Sequence, residues 1–242
     1  MILTFTDFGG RGPYLTQMKA AIRKHGFKGD IWDLFSDAPS FDSKCAARLL
    51  GAYSPDFPRR SVFLSVVDPG VGSDRGAIAI KSLGQWFVGP DNGLFEYVIR
   101  QDPEAEIYQI SWRPEKLSSS FHGRDLFAPV AAKIALGEAV EVLSKLQLSE
   151  IVRHPWPEQM QEIIYIDHYG NAMTGVDDLE DVQGVRIGGD IIPLLRTFSD
   201  ADKGASLAYK NANGLLEISV NQGRADQRFD LSVGSPINVI RG

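Results

Sequence analysis

Asp68 stands where the apolar run Val62-Phe63-Leu64-Ser65-Val66-Val67 gives way to the turn Pro69-Gly70-Val71-Gly72. A run of that length, rich in β-branched residues and closed by Pro and Gly, reads as a buried strand of a parallel sheet. Ligands of open α/β folds bind just beyond the carboxyl ends of such strands, so a carboxylate there has a reason to be chemical. The pattern recurs at the start of the chain, where Ile2 to Thr6 run into Asp7, followed by Phe8, Gly9 and Gly10. Aspartate also caps helices and initiates turns without doing chemistry. Arg75 tilts the balance, because it follows Asp68 after a loop too short to wander and brings a fixed donor fork near the carboxylate. The other candidate is His122, in Phe121-His122-Gly123-Arg124-Asp125. A lone loop histidine is an ordinary surface residue until a partner is found for it.

These residues need a scaffold, and the first part of the chain alternates strand-like and helix-like segments as βαβ units do. Pro13 stands where a helix begins, Leu15, Met18 and Ile22 share one face, and Gly26 stops it. A second strand is expected over Asp30 to Leu34, then a helix capped by Ser43 with Ala46, Leu49, Leu50 and Tyr53 inward. Shorter strands follow at Ala77 to Ile80, Trp86 to Val88 and Ile107 to Ile110, with a helix from Leu94 to Arg100 and another carrying Leu126, Phe127, Val130 and Ile134. At His154-Pro155-Trp156-Pro157 the pattern changes to short β-prone runs with Gly and Asn turns, which suggest a small barrel or sandwich. The expected organisation is an N-terminal α/β domain with a mostly parallel sheet over 1–153 and a small C-terminal β-barrel over 158–242.

Composition narrows the function classes. At 242 residues, 43% hydrophobic and 23% charged, the chain has enough material for one large or two modest globular domains. No apolar stretch approaches the roughly 20 residues that span a bilayer, and the N-terminus enters a strand without a basic leader, so a soluble cytoplasmic protein is expected. Cys45 is the only cysteine, which excludes an intrachain disulfide and a cysteine zinc cage; among Ala46, Ala47, Leu49 and Leu50 it reads as a small buried hydrophobe. Histidines 25, 122, 154 and 168 lack metal-ligand spacing, so no metal site is expected. A net charge of -6 with no basic cluster longer than Arg59-Arg60 makes nucleic acid a poor partner and a small molecule the better one. Gly70-Val71-Gly72-Ser73-Asp74-Arg75 begins like a dinucleotide fingerprint but has Arg at its third glycine, and it lacks the Gly-Lys-Ser/Thr ending of a phosphate loop.

Five segments together resemble one family. They are Thr6-Asp7-Phe8-Gly9, Val67-Asp68-Pro69-Gly70-Val71-Gly72-Ser73-Asp74-Arg75, Gly89-Pro90-Asp91-Asn92-Gly93, Phe121-His122-Gly123-Arg124-Asp125 and Asp167-His168-Tyr169-Gly170-Asn171. In this order, over nearly the whole chain, they resemble the S-adenosylmethionine hydrolases, or SAM hydroxide adenosyltransferases, relatives of the fluorinases and chlorinases. The resemblance implies an N-terminal α/β domain, a C-terminal β-barrel, and a homotrimer with active sites at subunit interfaces. It implies that Asp68, Arg75 and His122 position an attacking water, where the fluorinase has a tyrosine in place of Asp68. By the same matching Asp7 grips the ribose hydroxyls, Asp167 pairs with the methionine ammonium, Asn171 contacts adenine, Tyr169 packs near the ligand, and Phe41 supplies another ring. The Asp167–Asn171 loop is one residue shorter than the fluorinase's, Met173 replaces a stacking tryptophan, and the C-terminal adenine-contacting stretch falls near Asn211-Ala212-Asn213-Gly214 with different side chains.

The implied reaction is attack of water on the ribose C5' carbon, releasing adenosine and methionine. A sulfonium departs as a neutral thioether, so no general acid is needed, and neither metal nor redox cofactor is called for. An arginine-paired carboxylate is a feeble base at neutral pH, so the work divides: Asp68 orients the water, Arg75 stabilises developing hydroxide, and His122 accepts or relays the proton. Alignment of such a reaction can contribute roughly 7 to 11 kcal/mol. Two other readings stay open: halide transfer to the same carbon, which Asp68 disfavours by repelling an anion, and a sensor that binds S-adenosylmethionine or adenosine without turnover.

Overall fold

The computed structural model describes residues 1–242, which divide into two compact units, Met1–His154 and Pro155–Gly242. The first is built, in chain order, from β1 (Ile2–Thr6), α1 (Tyr14–Lys24), β2 (Ile31–Phe35), α2 (Ser43–Tyr53), β3 (Val62–Val66), β4 (Ala77–Ser82), β5 (Gln85–Pro90), α3 (Glu96–Arg100), β6 (Glu106–Ile110), α4 (Ala128–Ala135) and β7 (Leu143–Leu146). The strands form one seven-stranded sheet in the order β2-β1-β3-β5-β4-β6-β7. β2, β1, β3 and β5 pair in parallel, while β4 and β7 run against their neighbours. The sheet is therefore mostly parallel, as the apolar runs implied.

β1 and β3 are buried along their whole length because both sheet faces are covered. The period of two divides β3 between them: Val62, Leu64 and Val66 pack with Met18 and Ile22 of α1 and Val130 and Ile134 of α4. Phe63 points the other way and stacks on Phe87 of β5 at 4.8 Å, and Phe87 in turn meets Phe95 at 6.1 Å. α2 begins at Ser43, but its cap is the preceding Asp42, whose carboxylate accepts the Cys45 N–H at 2.9 Å, rather than Ser43 itself. Cys45 is fully buried. α4 is preceded by a π-helical turn over Gly123–Phe127, so the segment after His122 is already helical.

The second unit contains β8 (Met160–Ile166), β9 (Ala172–Gly175), β10 (Val182–Ile187), β11 (Asp190–Pro193), β12 (Ser206–Lys210), β13 (Leu216–Val220), the short α5 (Ala225–Arg228) and β14 (Asn238–Arg241). They make two antiparallel sheets, β11-β10-β14 and β12-β13-β9-β8. Single bridges, Leu194 to Ala208 and Glu162 to Pro236, join the sheets at both edges and close a small barrel. Its interior holds Ile163, Val185, Ile192, Ala208, Ile218 and Ile237. No helix in either unit is long and apolar enough to cross a membrane.

One buried ionic knot fixes the end of the first unit. Glu96, 2% exposed at the start of α3, accepts from Arg100 Nε at 2.7 Å, from Arg153 Nε and Nη2 at 2.7 and 2.8 Å, and from the His154 N–H at 3.1 Å. Burial opposes ionisation, but these donors outweigh it and pull the Glu96 pKa down to about 2. A depressed carboxylate contributes stability above its unfolded pKa of about 4.3 and loses it as pH falls through the folded value. Glu96→Gln should therefore cost about 3 kcal/mol at pH 7 in denaturant titrations, and the deficit should shrink steadily from about pH 4.5 to pH 2. A deficit independent of pH would mean that the knot is not ionic.

Candidate active site

β1 and β3 lie side by side in parallel, with Thr6 opposite Val66, so the residues that follow them emerge together at the carboxyl edge of the sheet. Asp7 and Asp68 are close enough for the charge on Asp68 to oppose ionisation of Asp7. The Asn92 side chain donates to the Val67 carbonyl at 2.9 Å and so pins the end of β3 next to Asp68. The turn after Asp68 closes through Val71 N–H to the Asp68 carbonyl at 3.2 Å and Ser73 N–H to the Gly70 carbonyl at 3.0 Å. It returns the chain so that Arg75 faces Asp68.

Arg75 Nε donates to Asp68 Oδ1 and Oδ2 at 2.9 and 3.0 Å, and Nη2 donates to Oδ2 as well. The two side chains are 10% and 4% exposed. The same Nη2 lies 3.0 Å from His122 Nδ1. Arginine has no acceptor, so Nδ1 must accept and the neutral imidazole must carry its proton on Nε2. Burial, reinforced by the Arg75 charge and opposed by Asp68 and Asp125, pushes the His122 pKa below its ordinary value. His122 is thus a neutral donor through Nε2 near pH 7. The Arg75 guanidinium also packs 5.1 Å from the centre of the Phe127 ring, within the π-helical turn that follows His122.

Asp68 and His122 border a cavity of about 200 Å³, whose wall includes Phe8, Tyr14 and Phe121. These rings meet edge to face at 5.5 to 6.0 Å, an arrangement aromatic quadrupoles favour. The loops on either side of the cavity dock tightly at Gly72: with φ at +85°, a Cβ there would lie 2.6 Å from the Ser119 carbonyl oxygen. Phe8 and Phe121 fall inside the motifs that flank Asp7 and His122, yet nothing in their spacing marks them as one wall. Tyr14 carries no sequence signal beyond its place after Pro13.

Asp7 accepts the Phe41 N–H at 3.1 Å. That bond holds Phe41 in the left-handed region, φ 60°, with its ring 79% exposed beside the site. Burial raises the Asp7 pKa; the Phe41 N–H counteracts it, and the Asp68 charge adds to the rise. Asp7, Phe41, Asp68, Arg75 and His122 are thereby gathered in the first unit.

Asp167, Tyr169 and Asn171 lie in the second, on the turn between β8 and β9. Asp167 Oδ1 accepts the Asn171 N–H and Oδ2 accepts Asn171 Nδ2, both at 2.8 Å, so each side chain fixes the other. The three border a hollow of about 560 Å³ together with Phe198, Tyr209 and Glu217. Of the stretch 211–214, Asn211 serves the turn, accepting from Asn213 and Leu215 N–H at 3.0 Å; the rim of the hollow comes instead from Gln222, Gly223 and Arg224.

A mixed α/β unit with an Asp–Arg–His cluster at its strand ends, followed by a closed antiparallel unit with an aromatic and acidic hollow, defines a two-part small-molecule enzyme. Comparison with known proteins specifies the class. The family models for the SAM hydroxide adenosyltransferase N-terminal and C-terminal domains match residues 2–144 and 161–238. A Thermus thermophilus protein named (R)-S-adenosyl-L-methionine hydrolase is 35% identical over 97% of this chain and 97% of its own. A crystal structure of a conserved Thermotoga maritima protein superposes with a TM-score of 0.90 at 33% identity, covering 100% of both chains. A fluorinase from Nocardia brasiliensis is a more distant relative, 26% identical over 99% of this chain and 96% of its own. The chain belongs to the SAM hydroxide adenosyltransferase family.

The histidine assignment can be checked directly. Nitrogen-15 spectra of ring-labelled protein at pH 7 should show His122 neutral and protonated on Nε2, titrating below the ordinary histidine value of about 6.5. A proton on Nδ1, or a cationic ring at pH 7, would mean that Arg75 does not hold Nδ1 in solution.

Proposed function

We propose that this chain hydrolyses (R)-S-adenosyl-L-methionine to adenosine and L-methionine by attack of water on the ribose C5' carbon. The observation that carries the reading is the Arg75 guanidinium, which grips Asp68 and His122 Nδ1 at once on the wall of a small, partly aromatic cavity. The orientation follows from donors and acceptors. A water in the cavity accepts from His122 Nε2–H and donates to Asp68, whose two oxygens keep lone pairs beyond those Arg75 uses. The remaining lone pair of the water then points at C5'. As the O–C5' bond forms, the C5'–S bond breaks and its electron pair leaves with the neutral thioether of methionine. The attacking oxygen is left as an oxonium, acid enough for even a weakly basic carboxylate, so its proton passes by way of Asp68 to solvent. His122, with Nδ1 held by Arg75 and a proton on Nε2, is the donor rather than the acceptor expected from the sequence. Arg75 acts through the two groups it holds: it fixes the plane of the Asp68 carboxylate as an acceptor and occupies His122 Nδ1, leaving Nε2–H as the donor. The departing sulfur needs no proton, so the chemistry requires neither a general acid, a metal nor a redox group.

The matching that implies these roles extends to Asp7 on the ribose hydroxyls, Phe41 and Tyr169 as flanking rings, Asp167 on the ammonium and Asn171 on adenine. Their support is that Asp7 and Phe41 stand beside the Asp68 cluster, and Asp167, Tyr169 and Asn171 border one hollow. We further propose a cytoplasmic homotrimer with active sites at subunit interfaces, for which light scattering should give the mass of three chains; an active monomer would exclude it. Halide transfer is the reading the fluorinase relative invites, and Asp68 disfavours it by placing negative charge at the reacting centre.

Incubation of (R)-S-adenosyl-L-methionine in oxygen-18 water, with and without chloride, tests the reaction. One labelled oxygen should appear in the 5'-hydroxyl of adenosine, the (S) epimer should react more slowly, and Asp68→Asn should lower the rate by about a hundredfold or more. 5'-Chloroadenosine would move the chain to halide transfer. Ligand bound but unchanged would make it a sensor.

A further inference from the structure

Glu96 and Glu217 are the two most deeply buried acids of the chain, 2% and 3% exposed, and they are treated differently. Glu96 has two guanidinium partners. Glu217, in β13, has only neutral ones: the Tyr209 hydroxyl donates to Oε1, and Asn211 Nδ2 donates to Oε2 at 2.9 Å. A carboxylate buried without a cation is costly, and neutral donors offset only part of that cost.

Glu217 does not close on the barrel interior; it borders the hollow of about 560 Å³ that Asp167 also borders, and the Asp167 charge adds to the opposition that burial sets against ionisation of Glu217. The one cation on the rim, Arg224, is already committed, to Asp226 at 3.1 and 2.8 Å and to the His168 carbonyl at 2.8 Å. The hollow also presents the rings of Phe198 and Tyr209, 5.1 Å apart, whose faces attract positive charge. Two carboxylates, π-faces and no uncommitted cation describe a receptor for a positively charged group.

We propose that Glu217 is a substrate-recognition residue which, with Asp167, draws the ammonium of the substrate's amino-acid end into this hollow. The ligand's chemistry rests on the hydrolase reading; the need for a cation rests on the burial of Glu217 alone. Burial also raises the Glu217 pKa, so an arriving ammonium would restore the charge that the empty hollow disfavours.

S-Adenosylhomocysteine carries the ammonium but has no sulfonium to lose, and adenosine lacks the amino-acid end. Calorimetric titration of both into the full chain should show that Glu217→Gln weakens S-adenosylhomocysteine about tenfold and adenosine by under about twofold. Unchanged S-adenosylhomocysteine binding, or an equal loss for both ligands, would overturn the assignment. Should the Gln variant fail to fold, Glu217→Asp, which withdraws the charge by one methylene, should give the same selective loss at about threefold, and no selectivity would again overturn it. Turnover of S-adenosylmethionine is scored separately. A wild-type protein that binds S-adenosylhomocysteine selectively yet forms no adenosine refutes the hydrolase reading and retains Glu217, whereas hydrolysis with an unchanged KM in Glu217→Gln retains the reading and refutes Glu217.

Discussion

A guanidinium that cannot accept a hydrogen bond and cannot lose its charge sets the geometry of the first unit's site. Because Arg75 donates to both oxygens of Asp68, the carboxylate is held as an acceptor with a fixed plane. Because the same group reaches His122, the imidazole tautomer is fixed from outside the ring. The two consequences are coupled, so acceptor and donor are aimed at the cavity by one side chain. Such a pair, at 4% and 10% exposure, is offset against desolvation only when its geometry is good, and the surrounding loops supply that geometry. The short turn from Asp68 to Arg75, the Asn92 bond to Val67 and the contact of Gly72 with Ser119 all restrict where the guanidinium can go.

On the proposed reading, the choice of nucleophile follows from the same charge arrangement. A halide approaching C5' beside an ionised Asp68 meets repulsion that a neutral water does not, and water alone can use both an acceptor and a donor on the cavity wall. Of the rings on that wall, Phe8 and Phe121 add no competing hydrogen-bonding group, and Tyr14 adds only its phenolic hydroxyl. Relatedness to the fluorinases therefore concerns the scaffold, while on the proposed reading the polar pair on the wall selects water as the attacking group.

Those parts of the fold governed by local periodicity were legible in the sequence. The largely apolar, β-prone runs of β1 and β3 announced buried strands, and their aspartates emerged where parallel strands must end. β9, Ala172–Gly175, was not legible: only Thr174 favours a strand while Ala and Gly disfavour one, and the segment is extended because β8 and β13 pair with it on both sides. β7 was equally silent, a half-exposed edge strand held by β6. The cap of α2 moved from Ser43 to Asp42 because either oxygen type serves and backbone geometry decides. Within the site, Asp68 and Arg75 could be paired from a short spacing, but the distance from Arg75 to His122 is set by the tertiary packing of two loops. The three-ring wall left no trace because Phe8 and Phe121 lie outside periodic elements and Tyr14 is the first residue of α1, before any period is established.

Glu217 shows why buried function can hide in an ordinary strand. In Leu215-Leu216-Glu217-Ile218-Ser219-Val220 it looks like the polar face of a half-exposed strand, yet every residue of β13 is buried. The informative signal was a mismatch, an acid where burial leaves no solvent to hydrate it. In the first unit such mismatches are resolved within the chain, by Arg75 for Asp68 and by Arg100 and Arg153 for Glu96. That is required where a carboxylate must hold a fixed position before substrate arrives, since an unpaired one would shed its charge or its orientation. A recognition site has the opposite requirement: a counter-ion supplied by the protein would compete with the cation to be bound. The neutral donors around Glu217 satisfy its hydrogen bonds without satisfying its charge, which leaves the attraction for a ligand to complete.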